Sequence, residues 1–582
     1  MKKLLTLILL SNLIFALIGC VSVDLSEGNQ IVALSTDKAM YNPLEKVTFD
    51  LSIKDISKGK VIMDIYHLDK VVFTNEYKFE DEENLTLTWD TPIDDYTGYL
   101  ALIKLYEGNQ IIDYQTIGVD VSSDWAKFPR YGYLSKYPNM SNEEITEVIK
   151  YLNRYHINGL QFYDWQYKHH LPIKNDGEAI SLTWPNIANN TVYFNTVKNY
   201  IDTAHLYNMK AMNYNLIFGA YSTYENDGLD SSMGLYKDTS ATNQDYHPLP
   251  STWATSKLML MNPLNEDWQD YLMNQEKFVF DTLGFDGWHM DQLGYRGMLF
   301  DSSGLRVYLD QTYDDFITYM DSELGVDIIF NLVNDYGLLE LLTSEELEFI
   351  YTEIWNLASY AEIKGMIENY TNIADKSVVM AGYMNYDLSG SKGEFNLPGV
   401  ILANSTIFAA GGSHIELGDH GLLGNEYFPN DNLKMTDELE EKLIAYYDFL
   451  VAYENILRDG VVKANLKIES PNLELTSSGM GDRVWYFSKK VNDLDIIHLI
   501  NLLGNDTEWR DDLGTKNNPI IQEDFVIKCY IDKEITNVYL ASPDVDKGVT
   551  QNLDYNISED EDGKYIEISV PYLEYWDVLV IE

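Results

Sequence analysis

The sequence predicts a multidomain protein in which a (β/α)₈ TIM barrel is flanked by two all-β sandwiches. Three observations predict it. The chain has 582 residues, more than one hydrophobic core normally organises. Between residues 122 and 460, short apolar segments alternate with longer helical ones, the pattern of repeated βα units. On either side of that stretch the pattern changes to short strands separated by turns.

Taken in order, residues 1–20 read as a targeting segment. Lys2 and Lys3 precede an almost wholly apolar run, Leu4–Ile18, too short and wrongly flanked for a stable membrane span. The run ends in Leu17-Ile18-Gly19-Cys20, which resembles a bacterial lipoprotein signal. That resemblance implies lipidation of Cys20 and a place at the cell surface or periplasmic face, with plain secretion as the alternative.

Residues 21–121 are expected to form an immunoglobulin-like β-sandwich. Val47–Ile53 alternates apolar and polar residues, and Val61–Tyr66, Leu85–Trp89 and Tyr99–Leu105 follow at regular spacing. Asp37–Val47 resembles the opening of immunoglobulin-like modules that precede many polysaccharide enzymes.

Residues 122–460 supply eight candidate barrel strands. They are Tyr131–Leu134, Gly159–Tyr163, Lys210–Asn215, Gly284–Met290, Asp327–Leu332, Phe349–Glu353, Ser377–Tyr383 and Ser413–Leu417. Helical segments such as Asn142–Tyr155, Val192–Leu206 and Asn265–Thr282 lie between them. No glycine-rich phosphate loop follows the first strand, which counts against an open doubly wound sheet.

Residues 461–582 return to strands, including Arg483–Ser488, Ile496–Leu502, Val526–Ile531, Val538–Ala541 and Tyr565–Val570, and are expected to form a Greek-key sandwich. Cys529 is the second of two cysteines; with Cys20 acylated it has no partner, and its strand setting predicts a buried, inert thiol.

Charge narrows the partners. Lys plus Arg number 41 against 92 Asp plus Glu, a net charge of −51. That field repels phosphate backbones and anionic lipid, which excludes nucleic acid and leaves the membrane to an N-terminal anchor alone. A neutral substrate is compatible. Aromatics reach 13%, with 44 Tyr and 11 Trp, and flat side chains suit the apolar C–H faces of sugar rings. A monomer is expected.

Barrel active sites lie at the C-terminal ends of the strands. The fourth strand ends Gly287-Trp288-His289-Met290-Asp291, and side chains alternate along a strand. Trp288 and Met290 suit the helix side, so His289 and Asp291 point inward, with Asp291 at the mouth. The sixth reads Phe349-Ile350-Tyr351-Thr352-Glu353, and the same alternation turns Glu353 to the mouth. Two carboxylates facing each other across a pocket are what glycoside hydrolysis needs. Asp291 is assigned as nucleophile and Glu353 as acid/base. Other strand ends supply expected substrate contacts: Tyr163, Asp164, Trp165, Asn215, His289, Asn334, Trp355 and Glu416. No cofactor is required for this chemistry, although an acidic loop would accept a structural Ca²⁺. His169-His170, and His414 with Glu416 and His420, lack zinc-site spacing, and no Gly-x-Ser-x-Gly elbow is present.

At these residues the chain resembles glycoside hydrolase family 66, the dextranases and cycloisomaltooligosaccharide glucanotransferases. The resemblance rests on Phe285–Asp291, Tyr351–Trp355 and Phe162–Trp165, with Asn262-Pro263 ahead of Trp268, Gly412–Gly418 and residues 425–430. It implies a retaining mechanism, with the family nucleophile on Asp291 and its acid/base on Glu353. It implies endo-cleavage of α-1,6-glucosidic bonds in dextran to isomaltooligosaccharides. It carries no role onto His289. The transglycosylating members hold a carbohydrate-binding module inserted in the barrel, and residues 216–283 are too few for one, which favours hydrolysis. The alternatives are a glucanotransferase, which would release rings, and a non-catalytic glucan-binding lipoprotein, which would bind without producing new reducing ends.

Overall fold

The computed structural model describes residues 25, 27–177, 179–426 and 431–582. The signal segment and Cys20 lie outside the described residues, as does part of the 425–430 segment.

Residues 31–121 form two antiparallel sheets, one of three strands and one of four, closing on a shared core that includes Phe49, Ile65, Trp89 and Ile103. The alternation read in Lys46–Ile53 is real: Val47, Phe49, Leu51 and Ile53 are buried and their neighbours are not. Residues 462–581 likewise build a seven-stranded and a four-stranded sheet. Cys529 is buried in the core between them, and burial pushes its thiol up to about 12.

Eight parallel strands lie between these regions. They are β1 (Tyr131–Leu134), β2 (Gly159–Phe162), β3 (Lys210–Leu216), β4 (Gly287–Asp291), β5 (Asp327–Val333), β6 (Ile350–Glu353), β7 (Val378–Ala381) and β8 (Ser413–Ile415). Each pairs with the next in chain order. Leu417–Gly418, continuing from β8, pairs with β1, so the sheet returns to its first strand. Tyr131, Met212, Ile329, Phe349, Val379 and Ile415 fill the interior as a packed core.

Among the described residues, seven long helices alternate with the strands: α1 (Asn142–Arg154), α2 (Phe194–Leu206), α3 (Glu266–Leu283), α4 (Tyr313–Leu324), α5 (Tyr360–Ala374), α6 (Leu397–Ala410) and α7 (Asp437–Ala452). Their starts are encoded locally. Ser141 and Glu144 form a reciprocal capping box at α1, and Ser359 and Glu362 another at α5. Between β5 and β6 only the short helix Leu338–Leu341 intervenes.

Several expected boundaries move by one to three residues, and two of the shifts have a plain local cause. The fourth strand begins at Gly287 rather than Gly284, because Gly284 ends α3 in the left-handed conformation at φ 78°. Helix α2 begins at Phe194 rather than Val192, because Thr191–Tyr193 pairs with Thr183–Pro185. Gly287 is required where it stands: a Cβ there would lie 2.3 Å from the carbonyl oxygen of Asp327 on the neighbouring strand.

Candidate active site

The C-terminal ends of β2 to β7 open into a cavity of about 280 Å³. Its outer wall comes from the β3–α3 connection, where Gly219–Tyr221, Tyr246–Pro248 and Lys257–Leu260 form a small antiparallel sheet. That wall contributes His247, Leu249, Trp253 and Leu258. The bidentate pair between Arg296 and the buried Asp245, both bonds at 3.0 Å, ties it to the loop after β4.

Asp291 and Glu353 stand at the ends of β4 and β6, with β5 between them. Asn331 on that middle strand joins them. Its side-chain nitrogen donates to Asp291 Oδ1 at 2.9 Å and to Glu353 Oε2 at 3.0 Å. The two oxygens are therefore at most about 6 Å apart, and the roughly 120° spread of an amide's two N–H bonds sets them about 5 Å apart.

Their environments differ. Asp291 also accepts from the Tyr214 hydroxyl at 2.7 Å. Burial raises its pKa, and the bonds from Tyr214, the Gln292 backbone and Asn331 oppose that shift. Glu353 accepts from Trp355 Nε1 at 3.0 Å and from Tyr383. Burial first, and the Asp291 charge second, push its carboxyl up to about 7. Asp164 rises to about 7 for the same two reasons. Asp291, whose rise three hydrogen bonds oppose, thus faces two carboxyls that hold protons near neutrality, the environment-driven separation that acid–base chemistry requires.

Of the expected substrate contacts, Tyr163, Asp164 and Trp355 line the cavity with Asp291 and Glu353. Trp355 stacks on Tyr383 with ring centroids 4.8 Å apart. Asp164 holds φ at 48°, a strained left-handed turn that aims its carboxyl at the mouth.

Five expectations are corrected. Trp165 is fully buried; it packs against Trp184 and Phe285, and its Nε1 donates to Asn213. Asn215 faces the helices, because on β3 it is Tyr214 and Leu216 that point inward. His289 points inward as expected but lies beneath the cavity among Tyr131, Tyr214 and Tyr351, where burial lowers its pKa to about 3 and keeps the ring neutral. Asn334 is exposed and accepts from the Trp355 backbone N–H at 2.8 Å, supporting the wall without joining it. Glu416 is turned outward and buried, accepting from Asn404 and the Tyr447 hydroxyl.

Asn331, Tyr214, Tyr351, Tyr383 and Gln161 line the cavity without having been singled out. Gln161 Oε1 and Asn331 Oδ1 are buried acceptors with no protein hydrogen-bond partner among the described residues. Strand parity was the signal for Tyr214 and Asn331, since each shares a face with known inward positions.

Comparison with known proteins agrees with this geometry. The sequence pattern of glycosyl hydrolase family 66 matches residues 36–580. A cycloisomaltooligosaccharide glucanotransferase of Niallia circulans is 28% identical over 747 aligned positions, covering 100% of this chain and 75% of that protein. A dextranase of Streptococcus salivarius is 26% identical over 558 positions, covering 84% of this chain and 67% of that protein. The crystal structure of a Paenibacillus cycloisomaltooligosaccharide glucanotransferase complexed with cycloisomaltoheptaose superposes with a TM-score of 0.89 at 28% identity, covering 95% of this chain and 99% of that one.

Proposed function

The chain belongs to glycosyl hydrolase family 66, and from that premise we propose that it is an endo-acting, retaining dextranase that cleaves α-1,6-glucosidic bonds to release isomaltooligosaccharides. The observation that carries this reading is the Asn331 bridge. Facing carboxyl oxygens about 5 Å apart fit the roughly 5–5.5 Å of retaining enzymes better than the roughly 6.5–9.5 Å of inverting ones.

Asp291 attacks the anomeric carbon while Glu353 gives its proton to the departing glycosidic oxygen. Glu353, now ionised, then takes a proton from water, which attacks the glycosyl–Asp291 ester and releases the sugar with its configuration kept. Tyr214 and Asn331 hold Asp291 ionised and aimed. Sugar hydroxyls supply the donors that Gln161 Oε1 and Asn331 Oδ1 lack. Trp355 and Tyr163 offer flat faces to the rings.

In this reading the eight-stranded ring is a (β/α)₈ barrel spanning 122–460, supported by an immunoglobulin-like module at 21–121 and a Greek-key sandwich at 461–582. The protein works as a monomer without a cofactor. It is exported and anchored through a lipid on Cys20; labelled palmitate incorporated by the wild type and lost in Cys20→Ala is the check.

A second reading, glucan transfer with ring closure, is favoured by the names of the Niallia and Paenibacillus relatives. Against it, the Niallia alignment runs over 747 positions while this chain has 582 residues, so that relative carries sequence this chain lacks. Incubation with dextran, starch and pullulan, followed by separation of the products, tests both readings. Linear isomaltooligosaccharides from dextran alone are expected. Rings would support transfer, and cleavage of starch instead of dextran would overturn the linkage assignment.

A further inference from the structure

The side of the cavity that carries Asp164 and His169 is held from behind by a carboxyl with no part in the chemistry above. Helix α3 buries Trp268, Leu272, Glu276, Val279 and Leu283. Four of these are apolar, and Glu276 occupies the position where a leucine would pack. A fully buried carboxyl is costly unless its oxygens are bonded. Both are: Oε2 accepts from Asn213 Nδ2 at 2.6 Å, and Oε1 accepts from Asn215 Nδ2.

Backbone groups fix which way Asn215 points. Its amide nitrogen also donates to the His169 carbonyl at 2.8 Å, and its oxygen accepts from the Leu216 N–H at 2.9 Å. A carbonyl only accepts and a backbone N–H only donates, so the amide cannot be turned over. The same oxygen lies 2.8 Å from His169 Nδ1. Nδ1 therefore carries the ring proton and Nε2 the lone pair. Nε2 stands 3.9 Å from Asp164 Oδ1 at the cavity wall. Burial keeps the ring neutral, lowering its pKa to about 4.

We propose that Glu276 is a positioning residue for glucan binding: together with the His169 carbonyl and the Leu216 N–H it anchors Asn215, whose oxygen holds His169 as the Nδ1–H tautomer, so that Nε2 accepts a hydrogen bond from a hydroxyl of the glucose ring beside Asp164. The proposal rests on this cavity being the glucan site. With an N–H aimed at each oxygen, the Glu276 carboxyl has no acceptor for a proton, so these bonds favour the carboxylate against the rise that burial imposes; a glutamine at 276 has one accepting and one donating end and sets an N–H against one of the two asparagine amides.

Two experiments on the full chain test it. In the ¹⁵N-histidine-labelled protein without any glucan, the signals lost in His169→Phe identify that ring. The expected spectrum has the proton on Nδ1, and a proton on Nε2 would overturn the relay. On dextran, Glu276→Gln is expected to lower kcat/KM about tenfold or more, mainly through KM, and His169→Phe at least as far. Acting through one bond, the double variant should fall no lower than His169→Phe alone. Losses that add, or wild-type kcat/KM in a folded Glu276→Gln protein with a lowered melting temperature, would reduce Glu276 to a structural role and overturn the proposal. Should Glu276→Gln fail to fold, His169→Phe with wild-type kcat/KM overturns it independently. A wild-type chain that leaves dextran intact removes the substrate reading, while the tautomer spectrum still decides the relay.

Discussion

Asn331 donates to both carboxylates, yet the protons of the site are governed mainly by burial. Glu353 is held protonated up to about pH 7, so on the alkaline side kcat/KM should fall as pH rises through that value, and on the acid side it should fall as Asp291 gains its proton. The same shift bears on stability. Glu353 and Asp164, both near 7, sit above ordinary carboxyl values. A raised carboxyl favours the native state fully below its unfolded pKa, and that contribution is lost as pH rises through the folded value. Glu353→Gln should therefore melt higher than wild type at pH 8 and match it at pH 4.5, and calorimetry at the two pH values checks this. Trp165 and Trp355 make a contrasting pair. Trp165→Ala empties a core site and should cost about 3–5 kcal/mol by denaturant unfolding. Trp355→Ala should leave stability nearly unchanged and raise KM several-fold.

Among the elements, the loops after β3 and β4 shape the cavity, and Arg296 with Asp245 clamps them together. Arg296→Ala should raise KM several-fold, with a smaller effect on kcat, because the wall that carries His247 and Trp253 loses its tie. The strands and the inward turn of Asp291 and Glu353 were legible because period-two alternation in β4 and β6 is unambiguous: Trp288 and Met290 cannot share a face with Asp291. The same rule applied to β3 places Tyr214 inward and Asn215 outward, but a polar residue at a strand end drew the reading toward Asn215. Glu416 was misplaced for the same reason. Asn334 lies past the end of β5, in a left-handed turn where parity no longer applies. Glu276 was visible as the one acidic residue in the buried stripe of α3, yet its partners lie 61 and 63 residues away and only the fold brings them together.

For the whole molecule, α7 is the shared surface. Phe449 packs on Trp576 of the C-terminal region, while Gly118 of the N-terminal sheet sits against the Asp448 backbone, where a Cβ would come within 2.7 Å. Buried Asp448 accepts from the Gly118 N–H, from Arg154 and from His156, joining the N-terminal sheet to α1 and the start of β2. Those partners hold its pKa down against burial, so its contribution is present above the ordinary carboxylate range and lost as pH falls. Asp448→Ala leaves the Arg154 guanidinium and the buried His156 ring without their partner and should cost about 3–5 kcal/mol near neutral pH, as measured by denaturant unfolding. These long-range ties were not legible in the sequence, because nothing local marks which buried charge meets which. The proposed retaining mechanism is tested most directly by proton NMR of the first product released from dextran. Two carboxylates about 5 Å apart predict the α-anomer first, in wild type and not in Asp291→Ala. The β-anomer appearing first, or unchanged turnover by Asp291→Ala, would contradict the account.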